Sequence, residues 1–260
     1  MIVRSIRLLL TAVLLSACGE TALTEPTPPA PQGGRTPRIL YVTHSAGFTH
    51  QVLPLSEQIL GDVGRRTRAF ESTATKDVAV MSVEGLREYD GIVFYTTGEL
   101  PISAGQKQAL LDFIRGGKGF IGIHSATDTF YKWPEYGEMI GGYFDGHPWH
   151  QEVRVRVEDA QHPAASGLQD GLTIRDEIYQ FKSWSRDRVH VILSLDPASV
   201  DLTKSGVNRT DRDFALSWTR NFGNGRVFYT ALGHEPDVWR DIRFQDHLAG
   251  GIRWAVGGGR

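Results

Sequence analysis

The segment SAGQKQALLDFIRGGKGFIGIHSATD, residues 103–128, predicts a helix, a buried strand and a sharp polar turn in direct succession. Ser103 and Gln106 have the spacing of a capping box, which begins a helix, and the glycines at 116–117 end it. The apolar run at 119–123 is typical of a strand that is covered on both faces. A helix followed at once by such a strand indicates one repeat of a parallel α/β sheet.

The residues before this segment repeat the same alternation of strands and helices. Apolar runs predict buried strands at 38–43 and 91–96, with a further strand at 67–72. A helix with an inward apolar stripe is expected at 51–63. This order of elements predicts a right-handed, doubly wound, flavodoxin-like sheet of parallel strands.

The second half of the chain is less regular and predicts an antiparallel extension of the sheet. Its expected strands are short runs with alternating or apolar character, and they lie at 151–159, 176–181, 190–196 and 214–232. The last run contains a hairpin turn at 223–225, and a helix at 241–256 closes the core. The fold class is therefore α/β, a flavodoxin-like, mostly parallel sheet with an antiparallel extension in the C-terminal half.

The first 37 residues differ in composition from this domain. Residues 1–18 have a basic start and an apolar run too short to span a bilayer, as in a secretion signal. Their ending resembles a bacterial lipobox with Cys18 as the lipidated residue; an ordinary cleaved signal is the alternative. Residues 19–37, rich in proline and threonine, predict an extended tether. We expect one domain at 38–257, exported and lipid-anchored on the periplasmic side of a bacterial membrane or at the cell surface.

The composition excludes several functions. The formal net charge is −2 and no basic cluster is interleaved with aromatic residues, so a nucleic-acid partner is not expected. Cys18 is the only cysteine, and the domain therefore has neither a disulfide nor a thiol nucleophile. We expect a small-molecule partner and membrane contact only through the lipid anchor, while homo-oligomerisation stays open.

Ionisable residues follow the predicted strands at the points where the strands end. Parallel strands gather their carboxyl ends at one edge of the sheet, where ligands bind. The residues at these exits are His44 and His50, then Glu99, then His124 with Ser125 and Asp128, and finally His234 with Glu235. The pattern predicts a site lined by histidines and carboxylates.

The segment YFDGHPWHQE, which begins at Tyr143, is a second concentration of polar and aromatic residues. Two interpretations stay open. In one, His147 and His150 bind a divalent metal such as zinc together with His124. In the other, Tyr143 and Trp149 stack on a sugar ring while the imidazoles hydrogen-bond its hydroxyls.

A pair of carboxylates opens the predicted strand at 176–181. Side chains alternate along a strand, so Asp176 lies on one face and Glu177 with Tyr179 lies on the other. Only one of the two carboxylates is expected to face the cleft, and we assign Glu177 and Tyr179 to it; a surface salt bridge of Glu177 is the alternative.

Several of these segments together resemble the ThuA-like (trehalose utilisation) family, within the class I glutamine amidotransferase-like superfamily. The carriers are RILYVTHSAGFTH, YDGIVFYTTG, FIRGGKGFIGIHSATD, YFDGHPWH, HPAASGL, DEIYQF and YTALGHEPDVW. The resemblance covers residues 38–257 and implies a flavodoxin-like fold in a bacterial sugar-utilisation protein. It also implies a link to pathways that oxidise sugars to keto-sugars, and hence a sugar-oxidising dehydrogenase as a pathway partner.

The residue at the apex of the turn departs from the related amidotransferases. Their G-x-C-x-G turn presents a cysteine nucleophile, whereas GIHSA places His124 at that position. Imidazole acts as a base, an acid or a metal ligand, but it does not form the thioester of glutamine hydrolysis. Glutamine amidotransferase activity is therefore not expected. Ser125 lacks the second glycine of a hydrolase G-x-S-x-G turn, so we place it among the binding residues.

These patterns favour an enzyme that acts on a sugar, a keto-sugar or a glycoside by histidine-based isomerisation, elimination or hydrolysis. The expected catalytic residues are His124, His44, Glu99 and His234. The expected substrate-binding residues are His50, Ser125, Asp128, Tyr143, His147, Trp149, His150, Glu177 and Tyr179. The alternatives are a non-catalytic carbohydrate-binding protein on the same fold and a metal-assisted hydrolase; no cofactor is required except, in that last case, a divalent metal such as zinc.

Overall fold

The described part of the chain comprises residues 35–168 and 171–257 of a computed structural model. The predicted signal segment, the lipidation site Cys18 and residues 19–34 of the predicted tether lie outside it, and they stay predictions. Within this part no helix has the length and apolar character needed to cross a bilayer.

The first half of the domain alternates strands and helices. Its elements are β1 (Arg38–Val42), α1 (Leu53–Thr67), β2 (Glu71–Thr75), α2 (Val83–Leu86), β3 (Gly91–Phe94), α3 (Ala104–Arg115) and β4 (Gly119–Ile123). Ser103 caps α3 and forms the predicted capping box with Gln106. The strand expected at 67–72 begins later, because α1 continues to Thr67 and ends on the left-handed C-cap Arg68.

The second half begins with a helix and is mostly composed of strands. Its elements are α4 (Pro134–Ile140), β5 (Tyr143–Phe144), β6 (Trp149–Val157), β7 (Leu172–Ile178), β8 (Phe181–Lys182), β9 (His190–Leu195), β10 (Ala215–Phe222), β11 (Gly225–Thr230), α5 (Pro236–Arg240) and α6 (Ile242–Val256). The turn between β10 and β11 is the predicted hairpin, and Asp241 caps α6.

Nine strands of the described residues form one sheet in the order β2-β1-β3-β4-β11-β10-β9-β6-β7. The first five of these run parallel, and the remaining four continue the sheet with antiparallel pairing. The parallel half is flavodoxin-like and the C-terminal half supplies an antiparallel extension, which confirms the predicted fold class. β5 and β8 form a separate two-stranded ribbon.

The register of strand pairing aligns the strand ends that carry the candidate site residues. Thr230 of β11 lies beside Ile123 of β4, so both strands end at the same level. β6 pairs with β9 only over Val155–Val157, whereas it pairs with β7 along Trp149–Val155. The β6–β7 pair therefore extends beyond the pairing of β6 with β9, and Asp176 and Glu177 near the end of β7 contact residues that follow β11 and β4.

The core lies between the sheet and its covering helices. Helix α6 packs on β4 and β11, and its Gly251 permits a close approach, because a Cβ there would lie 2.2 Å from the Phe228 ring. The strands β1, β3 and β4 are buried along nearly their whole length, as expected for parallel strands covered on both faces.

Candidate active site

His124 lies at the apex of the turn that follows β4. Its backbone φ is +46°, in the left-handed region that residues other than glycine seldom adopt, and its side chain has no exposed surface. Gly122 makes room for this turn, because a Cβ at that position would lie 2.8 Å from the Tyr229 ring. The sharp turn expected from GIHSA is present, and its imidazole points into the protein.

Hydrogen bonding fixes the tautomer of the His124 ring. Nδ1 lies 2.7 Å from the carbonyl oxygen of Ala231, which can only accept, so Nδ1 carries the proton and donates it. In the neutral ring Nε2 is left with its lone pair. The phenol of Tyr179 lies 2.9 Å from Nε2 and donates to it.

Glu177 and His234 complete a triangle with this nitrogen. Oε2 of Glu177 lies 3.3 Å from Nε2 of His124, and it also lies 3.3 Å from Nδ1 of His234. The third edge, from Nδ1 of His234 to Nε2 of His124, is 3.3 Å as well. Two imidazoles and one carboxylate from distant parts of the chain therefore converge on one point.

His50 is a fourth member of this cluster. Its ring centroid lies 5.0 Å from that of His124 and 5.3 Å from that of His234. The side chain is buried, and its Nδ1 has no hydrogen-bond partner. One ligand atom from each of His50, His124, Glu177 and His234 lies within 4.8 Å of the others. We name these four residues the imidazole cluster.

Asp176 holds the loop that carries His234. Its carboxylate is wholly buried and accepts the backbone N–H groups of Gly233, His234 and Glu235 at 2.7, 3.0 and 3.1 Å. The two carboxylates of β7 thus have different tasks, as alternation predicts: Glu177 reaches the imidazole cluster and Asp176 fixes backbone. Sequence reasoning gave Asp176 no role, because nothing local indicates that its partners lie nearly 60 positions later.

Three groups of the imidazole cluster have pKa values that differ from their ordinary ones. Burial would raise the pKa of Glu177, but the adjacent imidazole of His124 and a hydrogen bond from His234 outweigh burial and lower that pKa well below its usual range. The same bond to Glu177 raises the pKa of His234. Burial and the neighbouring imidazoles lower the pKa of His50 to about 3, so His50 is neutral at physiological pH.

Two accessible imidazoles lie beside the buried cluster. His147 has half of its side chain exposed and lies 3.4 Å from the second oxygen of Glu177. His150, also partly exposed, lies 2.5 Å from Oε1 of Glu235, and its ring centroid is 5.3 Å from that of His234. We name His147, His150 and Glu235 the rim residues. Glu235 is a site residue to which sequence reasoning assigned no role.

Two of the expected catalytic residues lie outside this arrangement. The ring of His44 is turned away and its Nδ1 contacts the carbonyl oxygen of Lys76 at 2.9 Å. The carboxylate of Glu99 accepts the backbone N–H of Lys132 at 3.0 Å and orients no imidazole. The assignments of His44 and Glu99 are therefore corrected, and His50 is the histidine of the loop after β1 that joins the cluster.

The two aromatic residues expected to stack on sugar are structural. Trp149 is fully buried, packs edge-on against Phe214 and donates its indole N–H to the carbonyl oxygen of Asp201. The phenol of Tyr143 is buried in hydrogen bonds to backbone atoms around α4. Neither offers a face to a ligand, because the first residues of β6 and β5 point into the core.

Ser125 and Asp128 lie in the turn after His124. The Ser125 hydroxyl is buried and has no partner among the described residues, so it is out of reach of a bound sugar. Asp128 is half-buried and accepts the phenol proton of Tyr131 at 2.6 Å; burial raises its pKa. Asp128 therefore lies at the border of the site. The assignment of Ser125 as a binding residue is corrected.

The structure also changes the set of residues that could bind a metal ion. Among residues 35–168 and 171–257, two groups of side chains could hold an ion: the imidazole cluster, and His150 with His234 and Glu235. The predicted combination of His124, His147 and His150 is not one of them. The sequence alone could not distinguish these sets, since each imidazole's direction is decided by its loop.

A surface cavity of about 380 Å³ lies elsewhere and shares no residue with this site. His162, His190 and Trp254 line it, and His190 pairs with the carboxylate of Asp159 at 2.8 Å. No group of potential metal ligands forms there within the described part of the chain. The convergence of ionisable groups, rather than cavity size, identifies the candidate active site.

Comparison with known proteins agrees with this description. The ThuA family, described as trehalose utilisation, matches residues 38–255, and the chain belongs to this family. No curated protein matches the sequence significantly.

Solved structures share the fold. A ThuA-like protein from Bacteroides uniformis is 24% identical with a TM-score of 0.70, covering 88% of this chain and 95% of its own. A ThuA-like protein from Parabacteroides merdae is 19% identical with a TM-score of 0.67, covering 86% and 91%. A cytoplasmic protein from Salmonella typhimurium is 13% identical with a TM-score of 0.57, covering 84% and 98%. At these identities the likeness shows the fold alone.

Proposed function

We propose that this member of the ThuA family is a carbohydrate-processing enzyme that transfers protons at a sugar carbon next to a carbonyl group. The observation that carries the proposal is the position of two accessible imidazoles, His147 and His150, beside the buried imidazole cluster. The family's link to sugar utilisation supports a carbohydrate as the substrate.

The buried imidazole cluster and the two accessible imidazoles, His147 and His150, differ in exposure, and we assign them different roles. The His124 side chain has no exposed surface, so it does not touch a substrate carbon directly. His150 has 43% of its side chain exposed and is oriented by Glu235, the arrangement of a general base with a carboxylate partner. His147 is similarly accessible and lies on the Glu177 side of the cluster.

The proposed reaction needs no covalent nucleophile. A carbonyl acidifies the neighbouring C–H, and His150 takes that proton while the electron pair forms an enolate. When the deprotonated carbon carries a hydroxyl, its O–H proton passes to the former carbonyl oxygen, and protonation of the former carbonyl carbon completes an isomerisation. In a glycoside the electron pair instead expels the glycosidic oxygen, which takes a proton from His147, so that the C–O bond breaks and a C=C bond forms.

An exposed aromatic ring supports a sugar ligand. Phe48 has 65% of its surface exposed and packs edge-on against His50, with ring centroids 4.9 Å apart. An apolar face at this position can stack on the C–H face of a sugar ring. Phe48 thus takes the place that sequence reasoning gave to Trp149 and Tyr143.

Deuterium incorporation tests the proposal. The full chain is incubated in D₂O with glycosides and their 3-keto derivatives, and NMR follows products and deuterium at the carbon next to the carbonyl. We expect deuterium uptake above a protein-free control, and a decrease of about 100-fold or more in His150→Ala, the usual contribution of a general base. His44→Ala is the matched control and should keep the native rate.

The possible outcomes separate the alternatives. Sugar binding without turnover would favour the non-catalytic carbohydrate-binding protein and contradict the proposal. Hydrolysis without deuterium uptake would favour a direct hydrolase. Equal rates in the native protein and His150→Ala would remove His150 from the mechanism.

A further inference from the structure

We propose that the imidazole cluster is a binding site for one divalent transition-metal ion of the zinc type, with His50, His124, Glu177 and His234 as ligands. Ion binding follows from the geometry of these four residues. The role of the ion, polarising the sugar carbonyl through a fifth coordination position so that the enolate charge is stabilised, rests on the proposed function.

The distances in the triangle are those of a tetrahedral metal site. With Zn–N bonds of about 2.0–2.1 Å, two ligand atoms of a tetrahedron lie about 3.3–3.4 Å apart. Nε2 of His124, Nδ1 of His234 and Oε2 of Glu177 are separated pairwise by 3.3 Å. Three ligand atoms thus already have the spacing that one ion of this size requires.

Direct hydrogen bonding does not explain this spacing as well. Charge-assisted N–H···O bonds shorten to about 2.7–2.9 Å. Among the described residues, the imidazole–carboxylate pairs that do not involve Glu177 are this short or shorter, at 2.5 Å for His150 with Glu235 and 2.8 Å for His190 with Asp159. The contacts of Glu177 with His124 and His234 are longer, at 3.3 Å, which is the separation of two ligand atoms on one tetrahedral ion; His147, outside the cluster, lies 3.4 Å from the other carboxylate oxygen.

The tautomer of His124 also favours a cation. Because Nδ1 donates to Ala231, Nε2 of the neutral ring has a lone pair, which accepts the phenol O–H of Tyr179 and is available to a metal ion when that phenol is displaced. In this tautomer Nε2 and the carboxylate oxygen of Glu177, 3.3 Å apart, are both acceptors, and a cation bound between them satisfies both. A backbone carbonyl that holds the far nitrogen of a ligand histidine is the usual supporting contact of metal sites.

His50 supplies the independent observation. Its Nδ1 is buried without a hydrogen-bond partner, and buried polar atoms without partners are rare in folded proteins. Its ring meets those of His124 and His234 at 5.0 and 5.3 Å. A role as the fourth ligand accounts for a buried imidazole nitrogen that has no partner among the described residues.

The donor set indicates the class of ion. Three imidazole nitrogens and one carboxylate oxygen suit zinc and its neighbours in the first transition row, whereas magnesium and calcium prefer oxygen ligands. A second, wholly buried carboxylate, Asp176, lies beside the cluster and holds the backbone of the loop that carries His234.

Metal titration tests the site without reference to turnover. The full chain carrying Cys18→Ser, which removes the only thiol, is stripped with a chelator and titrated with Zn²⁺ by calorimetry and with Co²⁺ by visible absorption. We expect one ion per chain and the absorption of tetrahedral Co²⁺. His124→Ala and His234→Ala should each weaken binding by more than about 100-fold, the upper range for loss of a supporting partner. His44→Ala, an imidazole outside the cluster, should bind as the parent does.

Conservative variants guard against loss of folding. Glu177→Gln keeps the shape of the side chain, and circular dichroism checks its fold; we expect weaker Zn²⁺ binding in the folded variant. Tyr179→Phe removes the phenol that competes for the lone pair of His124, so we expect Zn²⁺ binding at least as tight as in the parent. A purely structural hydrogen-bond network would not produce this opposite pair of effects.

The outcomes distinguish the site from the function. Absence of stoichiometric binding, or binding that His124→Ala and His234→Ala leave unchanged, would overturn the metal site while the deuterium experiment could still succeed. One bound ion that these variants remove supports the site even when no sugar reacts. Equal deuterium uptake in stripped and loaded protein would overturn the role of the ion.

Discussion

The carboxylate of Asp176, near the end of β7, is wholly buried and accepts the backbone N–H of Gly233, a residue that follows β11, at 2.7 Å. This contact joins the antiparallel extension to the parallel half of the domain at the edge where the imidazole cluster lies. The left-handed Gly233, with φ +121°, lets the following N–H groups turn towards the same carboxylate.

We predict that Asp176→Asn lowers the free energy of unfolding by about 1–3 kcal/mol, because the amide cannot satisfy three buried N–H donors. Displacement of His234 should also weaken Zn²⁺ binding. Urea unfolding and calorimetric titration measure the two effects. Asp237→Asn, at an aspartate with 95% of its side chain exposed, is the control and should change neither.

The apex of the turn should store backbone strain. Because His124 has φ +46°, we predict that His124→Gly is more stable than His124→Ala by about 1 kcal/mol, although both remove the imidazole. Urea midpoints of the two variants give the comparison. A stability for His124→Ala equal to or above that of His124→Gly would mean that the apex backbone is unstrained.

Stability should fall in mild acid through His247. This side chain is buried in α6, donates from Nδ1 to the carbonyl oxygen of Ala164, and burial lowers its pKa to about 4. The unfolded chain binds the proton below about pH 6.5 and the folded chain only near pH 4. The contribution of neutral His247 to the free energy of unfolding is therefore fully present above pH 6.5. It is lost as the pH falls to 4, and the loss amounts to about 3 kcal/mol at most.

Unfolding at a series of pH values checks this origin. In His247→Gln the corresponding part of the acid loss should disappear, since glutamine does not titrate. His44→Gln, at a histidine whose Nδ1 contacts a backbone carbonyl oxygen, is the control and should leave the acid loss assigned to His247 in place. An unchanged slope in His247→Gln would show that another group dominates.

Localisation depends on the N-terminal residues, for which we propose export and lipid anchoring at Cys18. Cys18→Ser should move the protein from the membrane fraction to the soluble fraction of expressing bacteria, since the anchor is the only expected membrane contact. Fractionation with immunoblotting measures the shift. Retention of Cys18→Ser in the membrane fraction would contradict the lipid anchor.

The sequence by itself determined the order of strands and helices, because hydrophobic periodicity, caps and glycine turns are local signals. It also identified the turn with His124 at its apex and the face of β7 that carries Glu177. These features follow from the repeat of side-chain directions along one element.

Only the tertiary structure decided which of these residues meet. His44 and His50 follow the same strand, yet one contacts the carbonyl of Lys76 and the other enters the cluster. The side chain of Trp149 is buried in the core. The carboxylate of Asp176 accepts the backbone N–H of Gly233, which follows β11. The physical reason is that side-chain direction in a loop, and burial at a strand end, depend on packing against residues far away in the chain.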